Sequence, residues 1–394
     1  MRLYYESKII PPNVRLLWVA PIRFGTTVHQ VGELGTAGAL RKRGWEVDFV
    51  AMDAGPNSEA FMSNLGYSLH QVYASRISGL TGITFLRSVA RSLNGIIDMG
   101  GYDAIVSEWQ CALAVTSVMD KRMKKGLKPI PWLFEDRSPP ANSSLLGRLQ
   151  WLLYDRAWNR AAHKANAIEV LVPGLEKFVR SRYGQLPRMV HCPSGVDCDR
   201  FGPSETELDN TIRIVYHGTL DQERGLERIV DLGKALSKIG IAARIRVFGA
   251  GPESIKFDQW DEEYDWIEFL GNVQYDDVPS LLSENDFGIL PLPDRLPWRV
   301  GSPLKIMEYS ASGLCVLATD VDGTIPFRDQ PWLVCASNND PLNEWVEYIE
   351  STMRKRSDFP SLRKSARVYA ENHLTWDKSV EELDRELRRI SGIL

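Results

Sequence analysis

A chain of 394 residues exceeds what one ordinary core can hold and reads as two domains. At 44% hydrophobic and 25% charged, with no low-complexity run and no apolar stretch of membrane-span length, it fits neither a disordered nor a membrane-spanning protein. The net charge of −4 conceals an asymmetry: up to Glu205, 25 Lys and Arg stand against 18 Asp and Glu, a balance of +7, which leaves −11 for the remainder. The basic first half points to an anionic surface or substrate there. Five dispersed cysteines (Cys111, Cys192, Cys198, Cys315 and Cys335) form no C-x-x-C pair, which predicts free thiols in a reducing compartment. MRLYYESKIIPPN lacks the apolar core of a signal peptide, so a cytoplasmic protein is expected.

Val14–Ala20 reads as a strand, followed by a loop through Gly25, a helix from about Val28 to Arg43, and a second strand from Trp45 to Met52. Gly25 stands at the loop tip, where a ligand at the carboxyl end of the first strand would meet it. Thr26 or Thr27 can cap the helix that follows. The dinucleotide spacing G-x-G-x-x-G is not satisfied. Between 57 and 100, SLHQVYASRISGL and ITFLRSVARSLNGIIDM read as helices, the second amphipathic with Arg87 and Arg91 on its polar side. Asp103–Ser107 is a further strand, Cys111–Lys124 a helix, KRMKKGLKPIP a basic loop, and PWLFED a return to the sheet. LLGRLQWLLYDRAWNRAAHKA interleaves Trp151, Tyr154 and Trp158 with Arg148, Arg156 and Arg160. That pattern fits an anionic membrane surface, or a core helix with a solvated charged face. After AIEVLVPGLEKFVRSRYG, a strand and helix, the Pro- and Gly-rich VHCPSGVDCDRFGPSE is expected to link the domains. The boundaries are then 1–205 and 206–372, with a helix in 373–394 packing back on the first domain.

The second half restarts the alternation. TIRIVYHG is a strand ending in His217-Gly218, ARIRVFGAGP a strand with a turn at Gly249, and YDDVPSLLSENDFGILP a helix and strand, which implies a parallel sheet covered by helices. The densest signal is RVGSPLKIMEYSASGLCVLATD, Arg299 to Asp320. Ser302 is the expected N-cap and Pro303 the first residue of a helix reaching about Ser312, stopped by Gly313; LCVLAT is then a buried strand. A loop delivering free N–H groups around Ser302, Pro303 and Leu304, with Lys305 in the first turn, suits a phosphate. Glu308, one turn on, shares the Lys305 face and can accept from a ribose diol.

These segments together resemble the retaining GT-B glycosyltransferases of family 4, the glycosyl transferases group 1. VYHGTLDQERGLERIV resembles the start of that family's donor domain, FGAGP its second glycine turn, and SPLKIMEYSASGLCVLATD its most diagnostic segment, in an S-P-x-K-x-x-E-Y form. APIRFG and the helix leading to GWEVDFV resemble its opening, and PSGVDCDRF its linker turn. The resemblance spans nearly the whole chain and implies an α/β GT-B fold, with two Rossmann-like parallel-sheet domains facing across a cleft. Two departures stand out: Val300 replaces the first of the family's paired glutamates, of which only Glu308 remains, and Thr219 replaces the basic residue after the donor-domain glycine.

The resemblance implies transfer of a sugar, with retention, from a nucleotide-diphosphate sugar (UDP- or GDP-linked) to a glycan or lipid-linked acceptor in polysaccharide or glycoconjugate synthesis. Nucleic acid is not an expected partner, and a peripheral place at the inner membrane face is. Charge builds on the diphosphate as the anomeric bond breaks, so Arg224, Lys305 and backbone donors at Gly218 and Ser302–Leu304 are the expected stabilisers, with Gly25 and Gly249 at the donor. With those cations no metal is required. Asp197-Cys198-Asp199 matches the D-x-D pattern of metal-dependent transferases, but its context predicts a turn. On the acceptor side Glu135, Asp136 and Arg137 end a strand, with Asp136 and Arg137 as catalytic candidates; Glu108 and His29 are weaker. The competing readings are a sugar-nucleotide epimerase of the same fold and a non-catalytic partner subunit.

Overall fold

The computed structural model describes residues 14–393 apart from 26–29, 78, 142–144 and 205–207. Thr26, Thr27 and His29 therefore lie outside the described residues. The chain divides into two compact units. One comprises the chain up to Val170 together with Glu176–Cys192 and the segment from Val380; the other comprises Leu171–Leu175 and Pro193–Ser379. PSGVDCDRF thus lies inside the second unit, and the change of unit falls at Cys192, not at 205.

The first unit is built from β1 (Val14–Val19), α1 (Val31–Lys42), β2 (Trp45–Met52), α2 (Pro56–Asn64), β3 (Ser68–Val72), α3 (Thr81–Gly100), β4 (Ala104–Glu108), α4 (Ala112–Lys124), β5 (Trp132–Asp136), α5 (Leu145–Lys164), β6 (Ala167–Val170), α6 (Pro173–Tyr183) and β7 (Met189–His191). Its seven strands are parallel, in the order β3-β2-β1-β4-β5-β6-β7. Strands β4, β5 and β6 are buried at every position, as a parallel sheet with helices on both faces requires. SLHQV, expected to be helical, is the edge strand β3. Five residues of mixed polarity carry too little helical period to resist pairing with the fully formed β2.

The second unit carries β8 (Ile212–His217), α7 (Glu227–Lys238), β9 (Ala243–Phe248), α8 (Ser254–Glu263), β10 (Ile267–Phe269), α9 (Val278–Ser283), β11 (Phe287–Leu290), α10 (Leu296–Arg299), α11 (Leu304–Ala311), β12 (Cys315–Thr319), β13 (Leu333–Ala336), α12 (Leu342–Arg354), α13 (Phe359–His373) and α14 (Trp376–Ser379). Its six parallel strands run β10-β9-β8-β11-β12-β13. The last helix, α15 (Glu381–Ser391), packs on the first unit. The Trp45 indole N–H donates to Asp384 Oδ1 at 2.7 Å, and Arg388 donates to Asp384 at 2.9 Å and to the Arg43 carbonyl at 2.6 Å.

Candidate active site

The strand order of the second unit turns back between β8 and β11, and ligands bind open α/β sheets at the carboxyl ends of strands at such a point. There β8 ends in Tyr216 and His217, followed by Gly218, and α11 brings Lys305 and Glu308 to the same place. Lys305 Nζ lies 5.4 Å from the centre of the Tyr216 ring. A Cβ at Gly218 would stand 2.9 Å from that ammonium, the movable end of a flexible side chain, and φ there is +117°, so it is the backbone conformation that demands glycine. Arg224, in a short 3-10 turn after β8, stacks its guanidinium 4.5 Å over the Trp298 ring and keeps its Nε buried with no hydrogen-bond partner. Neither Lys305 nor Arg224 makes an ion pair among the described residues. Burial first, and the Arg224 charge second, push the Lys305 ammonium down to about 7, against the opposing pull of Glu308.

Glu308 is 3% exposed, and its Oε2 lies 3.0 Å from His217 Nε2. The two atoms are close enough for an ion pair but not aligned as a hydrogen bond, and neither has another partner among the described residues. Phe248 stacks on the His217 ring at 5.6 Å and Tyr309 meets it edge-on at 5.4 Å, so the imidazole is fixed from two sides. The sequence reading overlooked His217, Tyr216 and Trp298. Only their position at a strand end or beside a catalytic candidate could have marked them.

The glycine turns behave differently from expectation. Gly218 N–H donates to the Phe248 carbonyl at 2.9 Å and Gly249 N–H to the Gly271 carbonyl at 2.8 Å, so neither donor is open to a phosphate. A Cβ at Gly249 would fall 1.8 Å from the Gly218 carbonyl oxygen. Glycine at 249 permits the two loops to touch backbone to backbone. Ser302 is likewise not a helix cap: its Oγ accepts from Ser194 N–H at 2.8 Å, Pro303 holds an extended conformation at the cap position, and the helix starts at Leu304. The serine was drawn away by a backbone donor that only the tertiary fold supplies. The first-turn N–H groups of α11, at Leu304 and Lys305, remain the unsatisfied donors beside the Lys305 side chain. Val300 is 2% exposed, so this position is apolar here.

In the first unit, Asp136 is fully buried, and its Oδ2 accepts from Tyr154 Oη at 2.5 Å and from Trp158 Nε1 at 3.0 Å. Burial pushes its carboxyl up to about 7, against those two donors. These contacts anchor α5 inside the core. Arg137 donates to Glu135 Oε1 at 3.1 Å and lies 3.6 Å from Glu33 Oε1, while Trp18 Nε1 donates to Glu135 Oε2 at 2.9 Å. Glu33, Glu108, Glu135 and Glu169 are all buried around this one guanidinium. Burial raises the carboxyl pKa of each. Burial also opposes the charge of Arg137, but Glu33, Glu135 and Glu169 outweigh it and hold the guanidinium protonated. Gly25 has φ +76° and gives its N–H to Gln30 Oε1 at 2.7 Å. Asp197 Oδ1 accepts from Asp199 N–H at 3.0 Å, the turn that the sequence context predicts. Among the described residues no group of three or more His, Cys, Asp or Glu side chains is placed to hold a metal ion.

Residues 211–354 match the family described as glycosyl transferases group 1. The chain is 28% identical over 130 residues to a putative colanic acid biosynthesis glycosyltransferase, WcaL, of Escherichia coli, covering 32% of each chain. It is 26% identical over 241 residues to a GDP-mannose-dependent monoacylated alpha-(1-6)-phosphatidylinositol monomannoside mannosyltransferase of Corynebacterium glutamicum, covering 54% of this chain and 59% of that one. The chain therefore spans about a third and about three fifths of these relatives' lengths. Among solved structures, a sucrose-phosphate synthase from Thermosynechococcus elongatus superposes with a TM-score of 0.76 at 16% identity, covering 97% of this chain and all of the other. Anabaena Alr3699/HepE, solved with UDP and glucose, superposes with a TM-score of 0.71 at 12% identity, covering 96% and 100%. At these identities the likeness establishes the GT-B fold.

Proposed function

From a chain whose residues 211–354 match the glycosyl transferases group 1 family and whose fold is GT-B, we propose a retaining glycosyltransferase that moves a sugar from a nucleotide diphosphate to a glycan or lipid-linked acceptor. One observation carries the reading. Lys305 and Arg224 stand at the β8–β11 switch point as two cations with no ion pair among the described residues, and Lys305 is desolvated far enough to weaken its own charge. Such a pair is costly without an anion and well placed with one. A diphosphate leaving group supplies that anion as the anomeric bond breaks, with the open N–H groups of Leu304 and Lys305 as further donors. Arg224 is suited to chelate two phosphate oxygens and Lys305 to act as a point charge, so no metal is assigned to the reaction. Glu308 is assigned to the ribose hydroxyls, through its unsatisfied Oε2. The S-P-x-K-x-x-E-Y segment, here Ser302 to Tyr309, carries the Lys305 and Glu308 roles on one helix, α11. Acceptor binding is assigned to the first unit.

UDP-linked and GDP-linked donors are both in view, since HepE was solved with UDP and the corynebacterial relative is named for GDP-mannose. The test is a thermal-shift and calorimetric panel of nucleoside diphosphates and their sugars, followed by transfer assays on wild type and Lys305→Ala. One nucleoside diphosphate should stabilise the wild type and not the variant. The variant should lose about 100- to 1000-fold in turnover with its fold intact, and wild-type activity should survive excess chelator. Normal turnover by Lys305→Ala would remove that residue from the mechanism. Isomerisation of the nucleotide sugar alone would indicate an epimerase, and no nucleotide response at all a non-catalytic subunit.

A further inference from the structure

Arg224 has carboxylates close by in the chain, yet among the described residues it pairs with none of them. Asp221 caps the 3-10 turn by accepting from Glu223 N–H at 2.9 Å. Glu227, the first residue of α7, is met by Lys256 at 3.2 Å. Glu223, the immediate neighbour, is met by Arg295, whose Nη1 lies 2.7 Å from its Oε2. Arg295 immediately precedes α10, and Arg299, the last residue of that short helix, holds Asp294 at 2.6 Å. Trp298, between them, donates its indole N–H to the Glu223 carbonyl at 2.8 Å and lays its ring 4.5 Å from the Arg224 guanidinium. Each of these carboxylates thus has a partner other than Arg224. Arg224 meets α10 through an aromatic face, which orders a cation without neutralising it.

The loop that delivers α10 is itself fixed. PLPDRLP places prolines at 291, 293 and 297, which restricts the backbone before any ligand arrives. Arg228, four residues beyond Arg224, donates to the Asn338 carbonyl at 2.8 Å and to the Pro291 carbonyl at 3.3 Å. Asn338 Oδ1 in turn accepts from Asp294 N–H at 3.0 Å, and Thr319 Oγ1 donates to the Leu292 carbonyl at 2.6 Å. The start of α7, the end of β12 and the segment after β13 therefore pin the stretch leading into α10. The Arg224 charge reaches Lys305, whose ammonium it pushes down second only to burial, so the two cations converge.

We infer that Arg295 and Trp298 are positioning residues for the diphosphate site: Arg295 draws Glu223 away from Arg224, and Trp298 fixes the plane of the guanidinium that the anion meets. The inference rests on the proposed function for its ligand and adds how the site keeps its positive charge. A guanidinium paired with its neighbouring glutamate would have to give up that partner before binding a phosphate. Here the glutamate is engaged beforehand, through side chains 32% and 29% exposed, so the pair itself contributes little to stability. Holding the guanidinium against a ring also removes rotamer freedom in advance, so less is lost when two phosphate oxygens are chelated. Both residues act through Arg224.

The test is calorimetric binding of inorganic pyrophosphate, UDP and GDP by the full chain, with melting temperature and transfer kinetics alongside. The proteins are wild type, Arg295→Gln, Glu223→Gln, the double variant, Trp298→Phe and Trp298→Ala. Arg295→Gln should weaken diphosphate binding by about tenfold, because Glu223 is then left to compete for Arg224. Glu223→Gln should bind as wild type does, and the double variant should return to within about twofold of wild type. A merely structural salt bridge would show loss from either side and no rescue. Trp298→Phe keeps an aromatic face and should stay near wild type, whereas Trp298→Ala should lose about tenfold in binding. Its kcat should fall more than its KM rises, since the leaving-group charge grows in the transition state. Wild-type binding by Arg295→Gln, or a double variant as weak as Arg295→Gln, would overturn the role of Arg295 and leave the transferase standing. Wild-type binding and turnover by Trp298→Ala would do the same for Trp298. Pyrophosphate binding that follows the expected pattern, with no response to any nucleotide or nucleotide sugar, would uphold both positioning roles and sink the proposed reaction. No diphosphate binding by wild type would overturn both.

Discussion

Lys305 concentrates the electrostatics of the second unit in one ammonium. Its folded pKa, about 7, lies below the ordinary lysine value, so its contribution to stability is present at high pH and lost as pH falls through about 7. An incoming diphosphate reverses the balance by favouring the charged form. At pH 8, where most of the free-protein Lys305 is neutral, binding of a nucleoside diphosphate should therefore take up a proton. Titration calorimetry in two buffers of different ionisation enthalpy measures this directly, and Lys305→Ala should abolish the uptake. An uptake that is unchanged in the variant would assign the proton to another group. This residue scale is also where the sequence was most legible for chemistry. A lysine and a glutamate three apart after a Ser-Pro loop predict a shared helical face, and α11 supplies it. What the spacing did not contain was His217, which reaches Glu308 only because β8 and α11 are brought together by the sheet.

α5 shows at the element scale how one carboxylate can be read two ways. Asp136 ends β5, a position where function is often found in parallel sheets, yet its oxygen is spent on Tyr154 and Trp158 one helix later. Asp136→Ala would leave a phenol O–H and an indole N–H unsatisfied in the core, at a cost of about 1–3 kcal/mol each. It should lower the melting temperature markedly. Asp136→Asn keeps an acceptor in place and removes a buried charge, so it should cost much less stability and leave transfer activity largely intact. If Asp136→Asn retained full stability but lost transfer, the anchor assignment would fail and the catalytic one return. The aromatic pattern of α5 reads from sequence as either core or surface. The structure uses both options in one helix, because 3.6 residues per turn place Tyr154 and Trp158 inward and Leu149, Leu152 and Leu153 outward.

Across the whole molecule the first unit carries an electrostatic liability that the second does not share. Glu33, Glu108, Glu135 and Glu169 are buried around one guanidinium, and burial raises the pKa of each. Raised carboxylates contribute stability that is fully present below their ordinary range, near pH 4.5, and lost as pH rises through the folded values. The thermal stability of the first unit should therefore fall as pH rises above the ordinary carboxylate range. Glu169→Gln, which replaces a fully buried carboxyl of this cluster, should flatten that dependence and raise the melting temperature towards higher pH. Equal pH profiles for wild type and variant would show that Glu169 does not titrate in the folded range. Lys305 acts in the opposite direction, so the comparison with the variant, not the wild-type curve alone, isolates the cluster.

Sequence alone was enough for the alternation of short apolar strands with helices, for the parallel sheets, for the helix that begins beside Lys305, and for the family resemblance carried by Ser302–Tyr309. Each of these rests on local spacing, which a single chain states openly. Tertiary structure decided the rest, because it depends on groups distant in sequence. Ser302 bonds to Ser194 instead of capping its own helix, Gly249 is glycine because Gly218 lies against it, SLHQV is a strand because β2 offers it an edge, and Asp136 is buried because α5 folds over it. A backbone donor, a close approach and a covered carboxylate are properties of neighbours, and neighbours exist only once the chain has folded.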